Sequence, residues 1–242
     1  MICLRRFQTA RELCNHYLEE FPTNPNLLRY LAYARLELEH DAAAFLCNYA
    51  EFGATTTDTQ GLVRPYQVAL LRGDFAAAEL ALADPKLSVV ASMSNIVDDP
   101  VSRHRALVAW LRGQRDIATA QADATVAYYT ARTWTLRQEP MVTIGTALAH
   151  AIAGRADVAV KLARESDALQ HARDAFVVPD VQLVLGYVYL VLDRRDDALK
   201  TLRDLMTGPC LLGPESIRLD PVWARLKNDP RFEETLKLAR PL

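Results

Sequence analysis

"LVLGYVYLVLDRRDDALKTLRDLM", residues 183–206, decides the fold. From Val181 to Leu192 only Gln182 and Gly186 interrupt a run of large apolar side chains. A membrane helix needs about 20 such residues, so the run is too short to span a bilayer. A single strand over the same stretch would be unusually long. The polar half that follows is spaced as a helix: Ala198, Leu199, Leu202, Leu205 and Met206 fall at i, i+1, i+4, i+7 and i+8. Two helices joined by the polar turn "DRRD" (193–196) are therefore expected. The first helix is apolar on nearly every side and must be covered on nearly every side, which one partner helix cannot do.

Self-similarity along the chain supplies the missing neighbours. "RGDFAAAELAL" (72–82), "RGQRDIATAQA" (112–122), "AGRADVAVKLA" (153–163) and "LDRRDDALKTL" (192–202) share one plan, and "LEHDAAAFLCN" (38–48) fits it more weakly. Each has a turn residue followed, five positions on, by an alanine that opens an amphipathic helix. With the alanines as anchors (Ala10, Ala44, Ala78, Ala118, Ala159, Ala198) the spacings are 34, 34, 40, 41 and 39. Five positions before the last five anchors stand Glu39, Gly73, Gly113, Gly154 and Asp193, and twelve before them Ala32, Tyr66, Ala106, Ala147 and Gly186. Alanine defined the register, so only the glycine and small-residue columns support it independently. A glycine there can take the left-handed conformation that ends a helix and reverses the chain. Small residues let paired helices approach, where a bulky one would overpack the contact by about 1–3 kcal/mol.

These columns resemble the tetratricopeptide repeat, a 34-residue helix pair with small residues at its close contacts and often a closing proline. "ARELCNHYLEEFP" (10–22) looks like a second helix of such a unit, and Leu185, Gly186, Tyr189 and Ala198 stand in family register. The resemblance covers roughly residues 7–207 and departs from the family at Tyr66, Pro65 and the three longer spacings. It implies an all-α fold, a right-handed α-solenoid of stacked helix pairs over residues 1–213. The longer spacings leave room for one extended helix over 115–138 and a short extra helix within "DPKLSVVASMSNIVDDP" (84–100).

Residue 1 falls just before a second helix, so the chain is expected to be the C-terminal portion of a longer protein, with an open apolar face at its first repeat. At the other end, Asp220-Pro221 and Asp229-Pro230 each pair a capping aspartate with a proline at the first helical position. They predict two short helices anchored by Trp223, Leu226, Phe232 and Leu236, forming a C-terminal helical cap over 214–242. This ending is similar to those that close repeat arrays in bacterial serine/threonine kinases, cyclase-like proteins and winged-helix regulators. The likeness implies a regulatory or docking module that follows an effector domain.

Composition agrees with a globular helical chain. The 242 residues are 50% hydrophobic and 24% charged, with 28 basic against 30 acidic side chains and only 9 glycines. No basic block marks a nucleic-acid footprint, and no apolar core of a signal peptide opens the chain, so a cytoplasmic location is the default. A periplasmic one follows if a preceding segment carries a membrane helix. The four cysteines, at 3, 14, 47 and 210, are too scattered for a zinc site or disulfide framework and read as buried thiols.

Catalytic signals are thin. His40-Asp41 resembles the metal-binding pair of HD-type phosphohydrolases, but lacks further placed ligands and falls on an inter-helix turn. His150 lies on the apolar helix "MVTIGTALAHAIAG", and "RGDF" (72–75) falls on a repeat turn. No phosphate loop, GxSxG elbow or HExxH is present, so no catalytic residue, metal or cofactor is expected. A helical hydrolase remains an alternative, as does a ligand-sensing array of a regulator or kinase. The main expectation is a non-catalytic scaffold that binds a protein or peptide segment, with neither nucleic acid nor membrane as partner. Self-association through the open N-terminal face is a further partner class. The resemblance places first-helix side chains on a concave surface: Arg29 and Tyr33; Arg103, Leu107 and Trp110; Ile144 and Leu148; Leu183, Tyr187 and Leu190. The Lys/Asn carboxylate clamp of chaperone-binding members is not reproduced, since Arg29/Tyr33 and Arg103/Leu107 stand in its place. The largely apolar groove left in the C-terminal half suits an extended or helical segment, unless the same residues pack within the fold.

Overall fold

The computed structural model describes residues 2–54, 59–91, 96–171, 178–210 and 212–242. In chain order the elements are a 3-10 turn (Ile2–Leu4), α1 (Phe7–Glu20), α2 (Pro25–Glu39), α3 (Ala42–Ala54), α4 (Thr59–Leu71), α5 (Phe75–Leu82), β1 (Val89–Ala91), β2 (Asp98–Pro100), α6 (Val101–Leu111), α7 (Arg115–Thr130), α8 (Glu139–Ile152), α9 (Ala156–His171), α10 (Val178–Val191), α11 (Arg195–Thr207), α12 (Pro214–Leu219), a second 3-10 turn (Trp223–Leu226) and α13 (Pro230–Leu236). The fold is all-α apart from the short ribbon β1–β2. No helix among the described residues is long and apolar enough to cross a membrane.

α4, α6, α8 and α10 end in one and the same turn. Gly73, Gly113 and Gly154 stand at φ +71°, +73° and +76°, and Asp193 at +56°. Each donates its N–H three residues back. The next residue donates five back: Asp74 to Ala69 (2.9 Å), Gln114 to Ala109 (2.9 Å), Arg155 to His150 (2.9 Å) and Arg194 to Tyr189 (2.8 Å). The two bonds satisfy carbonyls that a helix end leaves open, and only a left-handed residue closes them. Ala78, Ala118, Ala159 and Ala198, five residues on, are all buried.

The first copy sits one residue later than expected. His40, not Glu39, takes the left-handed conformation (φ +56°), and Phe45 is buried while Ala44 is exposed. Tyr66 is buried despite its bulk.

The chain divides into two compact units, Met1–Asp74 with Arg203–Leu242, and Phe75–Leu202. In the first, α1 packs on α2, α2 on α3 and α3 on α4. Asn24 caps α2 by accepting from the N–H of Asn26 (3.0 Å) and Leu27 (3.2 Å), ahead of Pro25. Residues 214–242, read from sequence as an end cap, lie in this unit, with α12 against α2. Glu37 of α2 accepts from Ser216 N–H (2.9 Å), Ser216 Oγ (2.6 Å) and Glu215 N–H (3.0 Å). A Cβ at Gly213 would stand 2.4 Å from that carboxylate, so any side chain there would displace Glu37. Arg5 reaches the carbonyls of Leu205 and Gly208, and Cys210 N–H donates to Cys3 O at 2.9 Å.

Trp223, Leu226, Phe232 and Leu236 are fully buried, as their spacing predicts. Asp220 accepts from Val222 N–H (2.8 Å) and Asp229 from Arg231 N–H (3.0 Å), so both Asp-Pro caps form. The first of them opens only a 3-10 turn.

In the second unit α6 packs on α7 and α8, α8 on α9 and α10, and α5 on α6. α6 and α8 thus each touch their own second helix and the next first helix. Two expectations fail here. Where a short helix is expected within 84–100, the described residues 89–91 and 98–100 form an antiparallel ribbon, with Val90 opposite Asp99 and Val89 opposite Pro100. β-branched Val89 and Val90 favour a pleat, and the residue before Pro100 is pushed out of the helical region. The single helix over 115–138 stops at Thr130. Trp134 Nε1 takes the Tyr129 carbonyl (2.9 Å), and Gln138 Oε1 reaches back to Thr135 N–H (3.1 Å) to open α8. Thr135 and Gln138 thus close a turn ahead of α8 that the periodicity alone did not reveal.

Candidate functional site

The residues assigned to a concave groove fall into two groups. Arg29 and Tyr33 belong to the first unit, the remainder to the second. Tyr33 packs against Phe45 and Tyr49, with ring centroids 5.3 and 6.0 Å away, and Arg29 lies over Tyr30 at 5.1 Å. In the second unit Arg103, Leu107, Ile144, Leu148, Leu183 and Leu190 are all buried, leaving Trp110 and Tyr187 half-buried. Six of these eight side chains thus pack within the fold, in a unit where α8 lies against α6 and α10 against α8. Sequence register locates the first helices but not which of their sides a neighbour takes.

Arg103 has an interior role. Its guanidinium pairs with Asp99, which also accepts from Tyr129 Oη at 2.5 Å. All three side chains are buried. Burial pushes the Asp99 carboxyl above its ordinary range against the pull of Arg103, and it drives the Tyr129 phenol well above its own. Beside them Ser102 and Thr125 hydroxyls meet at 2.9 Å. Gly145 of α8 makes room for the phenol, since a Cβ there would lie 2.8 Å from Tyr129 Oη. This cluster joins β2, α6, α7 and α8. It is closed to solvent, so it fixes helices rather than offering an acid or base to a substrate.

The other candidates are likewise committed. His40 Nδ1 lies 2.9 Å from Glu215 Oε1, and Asp41 accepts from Ala44 N–H at 2.8 Å to cap α3. His150 Nδ1 accepts from Arg155 at 3.2 Å, and burial with that neighbouring charge lowers its pKa. Among the described residues no group of three or more His, Cys, Asp or Glu is placed to hold a metal ion. The thiols of Cys14 and Cys210 are buried as expected, but those of Cys3 and Cys47 are exposed. Leu13 and Tyr17 of α1 and Phe21 just after it are spaced four residues apart and are 42–49% exposed.

Sequence reasoning missed the charged surface of the second unit. Arg112 pairs with Glu79, and Arg155 with Asp123, each from the turn inside one hairpin to the preceding second helix. These pairs follow from no periodicity of apolar residues. Compared with protein-family models, with curated proteins and with solved structures, the chain matches none. The resemblance to tetratricopeptide repeats is carried by the columns of its own sequence alone.

Proposed function

We propose that this chain is a tetratricopeptide-like interaction module that binds a segment of a partner protein and serves a regulatory role beside an effector domain. The observation that supports it is the fourfold recurrence of one turn, at Gly73, Gly113, Gly154 and Asp193, with the first helices α6, α8 and α10 packed in sequence order. Hairpins so repeated bury one another's apolar faces and leave long polar surfaces for docking. The His and Asp residues that a hydrolase would use are engaged in turns and caps, which favours binding over catalysis.

The test is a displayed peptide library selected on the full chain, followed by hydrogen exchange with the best peptide bound. A single consensus that protects amides in 101–194 is expected. Failure to converge, or protection elsewhere only, would refute the reading.

A further inference from the structure

The junctions between successive hairpins of the second unit can be compared position by position, using the left-handed turn residue as zero. At the α7–α8 junction, Arg155 (one after Gly154) pairs with Asp123 (ten after Gly113). At the α9–α10 junction the corresponding residues are Arg194, one after Asp193, and Arg164, ten after Gly154. An arginine replaces the acid. Lys161 lies one helical turn before Arg164 on α9, so three cations meet where the preceding junction holds a closed ion pair.

They line a shallow basin of about 430 Å³, with Val160 and Leu192 as apolar walls and Asp157 as its acidic group. Arg194 is held in place from two sides: its Nε donates to Asp197 at 2.6 Å, and its guanidinium lies 5.4 Å from the Tyr189 ring centre. Among the described residues neither Lys161 nor Arg164 has an ion-pair partner. Apolar walls weaken solvent screening in such a basin and strengthen its pull on an anion.

We infer that this basin binds an oxyanion-bearing side chain of a partner peptide, a carboxylate or a phosphate, through Lys161, Arg164 and Arg194. The external anion takes the position that Asp123 fills one junction earlier. Arginine suits this role because its planar fork bonds either oxyanion with two N–H groups. The inference rests on the peptide-binding reading above and names the chemistry of what that module recognises.

The experiment titrates the full chain with a hexaglutamate peptide, a phosphoserine peptide and inorganic phosphate, following backbone amides by two-dimensional NMR. At least one peptide is expected to shift amides of 156–164 and 192–194, and the one that does so names the oxyanion. Arg164→Asp, which restores the acid of the preceding junction, is expected to weaken that binding by about tenfold or more while melting at or above the wild-type temperature. Lys161→Gln provides a second, milder variant expected to weaken binding a few-fold. Unchanged binding by both variants, or shifts from inorganic phosphate alone, overturns the proposal. A library consensus that protects 101–194 yet carries no acidic or phosphorylated residue would leave the interaction reading standing and remove this one.

Discussion

Replacing Gly145 with alanine sets two physical effects of opposite sign against each other. In an exposed helix interior the change stabilises by about 1 kcal/mol, because alanine is the better helix former. Here the new methyl would stand 2.8 Å from Tyr129 Oη and 3.0 Å from its Cε2, inside any normal contact distance. Tyr129 cannot swing away freely, being 2% exposed and bonded to Asp99 at 2.5 Å. Overpacking costs about 1–3 kcal/mol, and losing a hydrogen bond to a charged group costs about 1.5–3 kcal/mol. The net expectation is destabilisation by about 1.5–5 kcal/mol, read from urea unfolding followed by circular dichroism and by tryptophan fluorescence. Tyr129→Phe completes a double-mutant cycle. With the hydroxyl gone the ring is no longer tied to Asp99, so the double variant should cost at least about 1 kcal/mol less than the sum of the singles. Wild-type or greater stability of Gly145→Ala, or strict additivity, would refute the claim that this glycine exists to admit the Tyr129 phenol.

Two further outcomes follow from the same structure. Asp193 holds at φ +56° a turn that its counterparts fill with glycine, so Asp193→Gly should raise the melting temperature and Gly113→Ala lower it, each reflecting about 1 kcal/mol, by calorimetry. Burial and the neighbouring Arg103 charge lower His104 from the ordinary 6.5 to about 3. Its contribution to stability is therefore complete above pH 6.5 and is lost as the pH falls towards 3, by up to about 1.4 kcal/mol per pH unit. The difference between wild type and His104→Gln across pH 7 to 5 isolates it from Asp99 and Glu37, whose raised values act in the opposite sense, and a flat difference would contradict it.

What the sequence by itself determined is local. A left-handed turn needs glycine or a short polar residue at one position, and the following helix needs its small residue five further on. Both requirements are met within a dozen residues, so Gly73, Gly113, Gly154, Asp193 and the buried alanines were legible in the sequence alone. The Asp-Pro caps at 220 and 229 were legible for the same reason.

Tertiary structure decided everything that depends on which elements become neighbours. The apolar first-helix residues read as a groove are buried because adjacent first helices cover them, a matter of packing that the register does not encode. Asp99 meets Tyr129 across 30 positions, and Glu37 meets Ser216 across 179. Arg164 and Arg194 line one basin although their hairpins are consecutive in sequence, at the positions that Asp123 and Arg155 hold one junction earlier. Electrostatic partnership acts through space over a few ångströms, and chain order does not record that distance.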